Sequence, residues 1–127
     1  MLSAAGLPLF DLHRAVLLGS RCTRCGGLWF PQRALCPDCF TKGEVVEEAL
    51  VRTGVVRAST VVRVRSALGH EAPYAWGSVE LGGVDVFTRF AGAEPERFVP
   101  GLAVELAFET LHPTALGEFA IHVFRPL

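Results

Sequence analysis

Cys22-Thr23-Arg24-Cys25-Gly26-Gly27 and Cys36-Pro37-Asp38-Cys39, with ten residues between the two pairs, hold all four cysteines of a 127-residue chain. A Cys-x-x-Cys pair aims two thiolates at one ion while the amides of its turn bond to the sulfurs, and two such knuckles complete the tetrahedral shell that zinc prefers. Gly26 admits the tight turn after the first knuckle and Pro37 stiffens the second. Cys22, Cys25, Cys36 and Cys39 are therefore expected to bind one structural zinc per chain, with no position left open for a substrate. Iron fits the same four-sulfur shell. Disulfides and a redox Cys-x-x-Cys are the competing readings; a cytoplasmic look opposes the first, and the lack of a surrounding βαβ pattern opposes the second.

Downstream of the cysteines the pattern changes to period two, the mark of half-buried strands. Between Val55 and Arg65, Val56, Ala58, Thr60, Val62 and Val64 fall on one face, and Arg57, Ser59, Arg63 and Arg65 on the other, which is expected to be basic. Residues 102–109 and 118–124 alternate in the same way, and Gly82-Gly83 between Tyr74–Leu81 and Val84–Phe90 reads as a hairpin turn. With a first long strand from near Glu44, bent at Gly54 and running to Arg65, about five strands fill this part, which suits a small closed barrel of the OB type. An immunoglobulin-like sandwich, which needs about seven strands, is the runner-up. The expected architecture is all-β (mainly β): an arm over residues 1–14, a zinc ribbon over 15–43, and a five-stranded OB-fold barrel over 44–127.

Half of the residues are hydrophobic and 20% are charged, so the chain can bury a core and still has apolar surface to offer a partner. Twelve Lys plus Arg against thirteen Asp plus Glu give a net charge of −1, without the positive field that carries non-specific nucleic-acid binding. The longest uncharged stretch, Met1 to Phe10, is too short to span a membrane and lacks the basic start of a signal peptide. A soluble, cytoplasmic protein is expected. With the thiols committed to a metal, no nucleophile elbow, dinucleotide fingerprint or phosphate loop present, and His13, His70, His112 and His122 isolated from one another, nothing reads as an active site. A binding or assembly module is the stronger reading.

The order of features resembles a known family. Leu17-Leu18-Gly19-Ser20-Arg21-Cys22, Phe30-Pro31-Gln32-Arg33 and Cys36-Pro37-Asp38-Cys39 are followed by Gly54-Val55-Val56, Pro73-Tyr74-Ala75-Trp76-Gly77-Ser78-Val79-Glu80-Leu81 and Gly101-Leu102-Ala103-Val104-Glu105-Leu106. Over about residues 15 to 110 this is similar to the acyl-CoA-associated OB-fold family, formerly a domain of unknown function, in which a rubredoxin-like zinc ribbon precedes an OB barrel. One departure is the N-terminus: members often begin with a longer helix, whereas Ala15 to Arg21 reads as extended.

The resemblance implies a non-catalytic accessory subunit of a thiolase-fold enzyme, such as a thiolase, an acyltransferase or a retro-aldolase of steroid side-chain degradation, in a two-plus-two heterotetramer. The chain would stabilise its partner and help wall the channel for a CoA thioester shared between them. Arginine forks pair bidentately with phosphates, which makes Arg24, Arg33, Arg63 and Arg65 the candidates for CoA. Large aromatics dominate interface hot spots, which makes Trp29, Phe30, Tyr74 and Trp76 the candidate partner anchors. A single-stranded nucleic-acid-binding module is the alternative, since aromatics and a basic strand face suit it; the near-neutral charge and the single lysine, Lys42, count against it. An autonomous CoA-dependent hydrolase lacks a visible nucleophile–base pair.

Overall fold

The computed structural model describes residues 7–40, 43–64, 71–92, 94–111 and 119–127, with only the backbone of 111 and 119. The elements are β1 (Phe10–Asp11), β2 (Val16–Cys22), β3 (Leu28–Trp29), β4 (Val45–Ala49), β5 (Thr53–Val62), β6 (Tyr74–Leu81), β7 (Val84–Phe90), one 3-10 turn (Pro95–Arg97), β8 (Ala103–Leu111) and β9 (Phe119–Pro126). The last five strands close into a barrel in the order β5-β6-β7-β9-β8, with β8 pairing back onto β5. Every neighbouring pair is antiparallel except β7 with β9. This is the expected five-stranded OB barrel.

Ahead of it, β2 is the central strand of a small sheet. It pairs with β1, β3 and β4, all antiparallel. The single long strand expected from near Glu44 to Arg65 is corrected by this pairing. Its first part, β4, bonds to the ribbon's β2, and its second part, β5, opens the barrel. Between them Leu50 turns inward to the core, its amide donating to the Leu17 carbonyl at 2.9 Å.

The hairpin is where the sequence puts it. Gly82 and Gly83 have φ of +63° and +97°, the two left-handed positions that a tight turn matched to strand twist demands. The alternation in β5 fails at Arg57, because a β-bulge between Val56 and Ala58 slips the register by one residue. Val56 points into the core, but Ala58 and Thr60 beyond the bulge face outward and Ser59 and Val61 are half-buried. Among the described residues the expected basic face is therefore broken at the bulge, with Ser59 between Arg57 and Arg63 half-buried. Gly77 sits opposite Ser59, just past the bulge, where a Cβ would lie 2.0 Å from the Ala58 carbonyl oxygen, so only glycine allows the two backbones to approach this closely.

One core runs through both parts. Leu17 and Leu50 from the ribbon sheet pack with Val56, Val79, Leu81, Val86, Phe90, Val104, Leu106 and Phe124 of the barrel. Phe98, delivered by the 3-10 turn, stacks on Phe90 with ring centroids 4.6 Å apart. A smaller cluster, Ile121 and Val123 with Ala91 and Ala107, lies on the outer side of β9. The Arg89–Glu109 ion pair links β7 and β8 on either side of β9.

Candidate metal centre

The four sulfurs converge within 4.8 Å of one another, Cys22 with Cys39 at 3.7 Å and Cys25 with Cys36 at 3.6 Å. Thiolates about 2.3 Å from a tetrahedral zinc stand roughly 3.8 Å apart, so the cluster fits the ion. Both pairs fold as knuckles: the Cys25 amide donates to Cys22 Sγ at 3.5 Å, and the Cys39 amide to Cys36 Sγ at 3.3 Å. Cys22 and Cys36 are buried while Cys25 and Cys39 face solvent. The Gly27 backbone favours the Cys25 thiolate, yet hydrogen bonds with Cys36, Cys22 and Cys39 together with burial push Cys25 up to about 12. Four cysteine sulfurs in one tetrahedral shell are a donor set that suits a zinc dication.

Polar side chains tie the knuckles to the sheet. Arg21 on β2 donates from Nε and Nη2 to both carboxylate oxygens of Glu48 on β4 at 2.7 Å, and from Nη1 to the Gly26 carbonyl at 2.8 Å. Hydrogen bonding to this guanidinium holds the Glu48 carboxyl below the usual range, against a smaller effect of burial. Ser20, buried, accepts the Arg33 amide at 2.9 Å and donates to the Arg33 carbonyl at 3.2 Å. Gln32, also buried, donates to the Pro8 carbonyl at 3.0 Å and to Glu47 at 3.1 Å, sewing arm, loop and β4 together. The Phe30-Pro31-Gln32-Arg33 stretch is thus a fastening of the ribbon.

The ribbon sits on the barrel through aromatic rings. Phe30 and Phe10 meet the His122 ring edge-on, with centroids 5.7 and 6.3 Å away, and Phe10 meets Phe108 at 5.1 Å. Burial pushes His122 down to about 4, against a smaller opposing hydrogen bond to the Phe87 backbone, and its Nδ1 is buried without a hydrogen-bond partner among the described residues. This neutral ring is part of a seam between modules. His13 is exposed at the surface, and His70 and His112 lie outside the described residues.

The remaining expected residues are dispersed. Arg24 and Arg33 are exposed on the ribbon; Arg63 stands just past β5, 3.8 Å from Glu96, and Arg65 lies outside the described residues. Arg24, Arg33 and Arg63 do not line a groove of about 560 Å3 on the barrel, which is bounded by Ala91, Phe98, Phe108 and Pro126 with charges of both signs. Arg57 is held by Asp85 at 2.8 Å. Among the aromatic candidates, Trp29 folds over Gly27, where a side chain would stand, Phe30 belongs to the seam, and Tyr74 is 8% exposed. Trp76 alone of these four presents a broad surface, at 41%. Phe87, at 69%, is more exposed than any of the four and is not among the expected anchors. The signal was there: Val84, Val86, Thr88 and Phe90 alternate inward, which puts Phe87 on the outside. Among the described residues no helix is long and apolar enough to cross a membrane.

Comparison with known proteins places this geometry. The family model for the rubredoxin-like zinc ribbon domain of ChsH2 matches residues 14–45, and that for its C-terminal OB-fold domain matches residues 47–109. A DUF35 domain-containing scaffold protein of Methanocaldococcus jannaschii is 34% identical over 101 residues, covering 78% of this chain and 72% of the relative. A protein of the same description from Methanothermobacter thermautotrophicus is 32% identical over 98 residues, covering 76% and 74%. Among solved structures, a chain described as Ltp2-ChsH2(DUF35) aldolase superposes with a TM-score of 0.69 at 27% identity, over 90% of this chain and 87% of that one. A DUF35-family protein of unknown function from Sulfolobus solfataricus shares the fold, with a TM-score of 0.61 at 18% identity over 99% and 87%.

Proposed function

Because the chain belongs to the DUF35 family of zinc-ribbon and OB-fold proteins that includes ChsH2, we propose that it is the non-catalytic accessory subunit of a thiolase-fold enzyme acting on acyl-CoA thioesters. The observation that carries this reading is the likeness across both modules, ribbon and barrel together, to a chain of an aldolase assembly. The chain's own chemistry agrees: its four thiols converge on one metal position, and its buried histidine is walled by phenylalanine rings. A partner would supply the groups that make or break carbon–carbon bonds.

In this role zinc has no part in the reaction; bound by Cys22, Cys25, Cys36 and Cys39, it fixes the two knuckles. Arg21, Ser20 and Gln32 transmit that rigidity to the sheet, and the seam of Phe10, Phe30 and His122 passes it to the barrel. The assembled surface stabilises the enzyme subunit and walls the channel of the shared CoA thioester in a two-plus-two complex. Arg24 and Arg33 on the ribbon, Arg63 just past β5, and Arg65 are the proposed contacts for its phosphates.

The test is affinity purification of the tagged chain from its native host, with mass spectrometry and the 260/280 nm absorbance ratio of the eluate. A stoichiometric thiolase-fold chain, at twice two copies by light scattering, is expected. Nucleic acid without such a chain would replace this reading with the single-strand-binding one. In the purified complex, Arg24→Ala with Arg33→Ala is expected to raise KM for acyl-CoA while leaving kcat in place; an unchanged KM removes the phosphate role.

A further inference from the structure

The outer face of β6 and β7 is unlike the rest of the barrel surface. Trp76 and Phe87 both point outward there, because Trp76 is opposite Arg89 and Ser78 is opposite Phe87 in the register. That arrangement makes the two large rings diagonal neighbours, within reach of one another across the strands. Ser78, between them, is small and 94% covered, and β5 contributes Thr60 opposite Trp76 and Ala58 opposite Ser78. The bulge at Arg57 is what turns Ala58 and Thr60 outward, so the same irregularity that breaks a basic stripe creates an apolar one.

We infer that this face, with Trp76 and Phe87 as anchors, is the seat of the enzyme subunit, and that it accepts an uncharged, apolar protein surface. The inference rests on the accessory-subunit reading above and adds where the partner docks. Its basis is the disposition of charge. Arg57 is neutralised by Asp85 at one side and Arg89 by Glu109 at the other, both within the chain. Arg57 and Arg89 therefore bring no bare cation to the face, and the Glu80 carboxylate at its hairpin end accepts the Gly83 amide at 2.8 Å, whereas a phosphate-bearing ligand would meet cations already paired. β6 is paired along both edges, by β5 and by β7, so a partner on this face packs on side chains and adds no strand to β6. The ribbon does not compete for this face, since Phe30 and Phe10 are engaged at the His122 seam.

The experiment uses the full-length chain and the enzyme subunit that co-purifies with it, identified by mass spectrometry and then purified for calorimetric titration. Phe87→Ser is the cleanest variant, because a side chain this exposed contributes little to folding; its thermal midpoint is expected to match the wild type. Its Kd for the enzyme subunit is expected to rise about thirtyfold, as is that of Trp76→Ser, the size of a hot-spot loss. Phe40→Ser, an equally exposed ring on the ribbon at 73%, is expected to stay within twofold. A complex that forms with unchanged Kd in both barrel variants overturns the docking face while the accessory role stands. If the wild-type chain captures no enzyme subunit, the accessory role and the inference fall together. A chain that is dimeric alone and becomes monomeric in Phe87→Ser assigns the face to a second copy, which also overturns the inference.

Discussion

Between Cys22 and Phe40 the ribbon buries only Cys22, Gln32 and Cys36, while a single barrel strand, β7, buries Val84, Val86, Thr88 and Phe90. The two regions share Leu17 and Leu50 at their junction, yet they are specified by different physics. The barrel's order is an area effect, spread over many apolar side chains. The ribbon's order is concentrated at one point, four sulfurs that converge on an ion. A region specified at a point should fail all at once when that point is removed, and a region specified by area should yield by degrees.

Metal removal is the severest way to break this comparison. Structural zinc supplies roughly 10–16 kcal/mol of apparent binding free energy in small ribbons, more than the ribbon's few buried side chains replace. Metal analysis should find one zinc per chain in protein purified without chelator. Cys36→Ser, or chelation, is expected to abolish amide-exchange protection at Cys25, Trp29 and Cys39 while β6 and β7 keep theirs. Equal loss in both regions would mean that the shared junction makes them one cooperative unit.

The complementary cut is Phe90→Ala, at the centre of the barrel core and against Phe98. Removing a fully buried ring costs about 3–5 kcal/mol, measurable by urea titration of the zinc-loaded protein. The metal content is expected to be unchanged. Zinc loss accompanying this substitution would show that the barrel, through Leu17, holds the ribbon's sulfurs in place.

How readily each region is read from sequence follows from the same contrast. The metal shell is visible because ligand identity and spacing are local: Cys22 with Cys25 and Cys36 with Cys39 each close within one turn. The hairpin at Gly82-Gly83 is equally local. The bulge at Arg57 is not, because an extra residue in a strand leaves no mark in an alternating pattern, and the residues that flank it across the sheet, Ser78 and Val79, lie on another strand. The pairing of β4 with β2 was hidden for a related reason, since Val45–Ala49 looks like the start of the strand that follows it. Trp29, Phe30 and Tyr74 show the limit for single residues: an aromatic reads alike whether it anchors a partner or lines a seam, and only the three-dimensional neighbours decide.

Acid sharpens the comparison at the seam. The folded-state value of His122, about 4, lies below its ordinary 6.5, so the unfolded chain takes up the proton first as pH falls. The contribution to stability is intact above about pH 6.5, declines from there, and is fully lost below about pH 4, with a total of about 3 kcal/mol. Falling pH also protonates thiolates and releases zinc. The informative quantity is therefore the difference from His122→Leu, which keeps the ribbon's acid sensitivity and lacks that of the seam. The variant is expected to lose less stability between pH 6.5 and 4.5 in urea titrations. Parallel curves for the two proteins would mean that the ring is solvated.

The smallest expected effect tests whether the ribbon, away from its ion, has any strength of its own. Ser20 is the candidate, because its hydroxyl both accepts the Arg33 amide and donates to the Arg33 carbonyl, pinning to β2 the loop that delivers the second knuckle. Ser20→Ala removes both bonds from a buried position and should lower stability by about 1 kcal/mol. With zinc in excess, that loss should appear in urea titration of the loaded protein, because a weaker hold on the ion lowers the stability the ion confers. In protein held at limiting zinc, the same substitution should weaken metal binding about fivefold, since the loop must then be ordered by the ion alone. A competition titration against a colorimetric chelator measures this directly. An unchanged zinc affinity would mean that the second knuckle is preformed without the Ser20 clasp, and that the ribbon is specified by more than its point of metal binding.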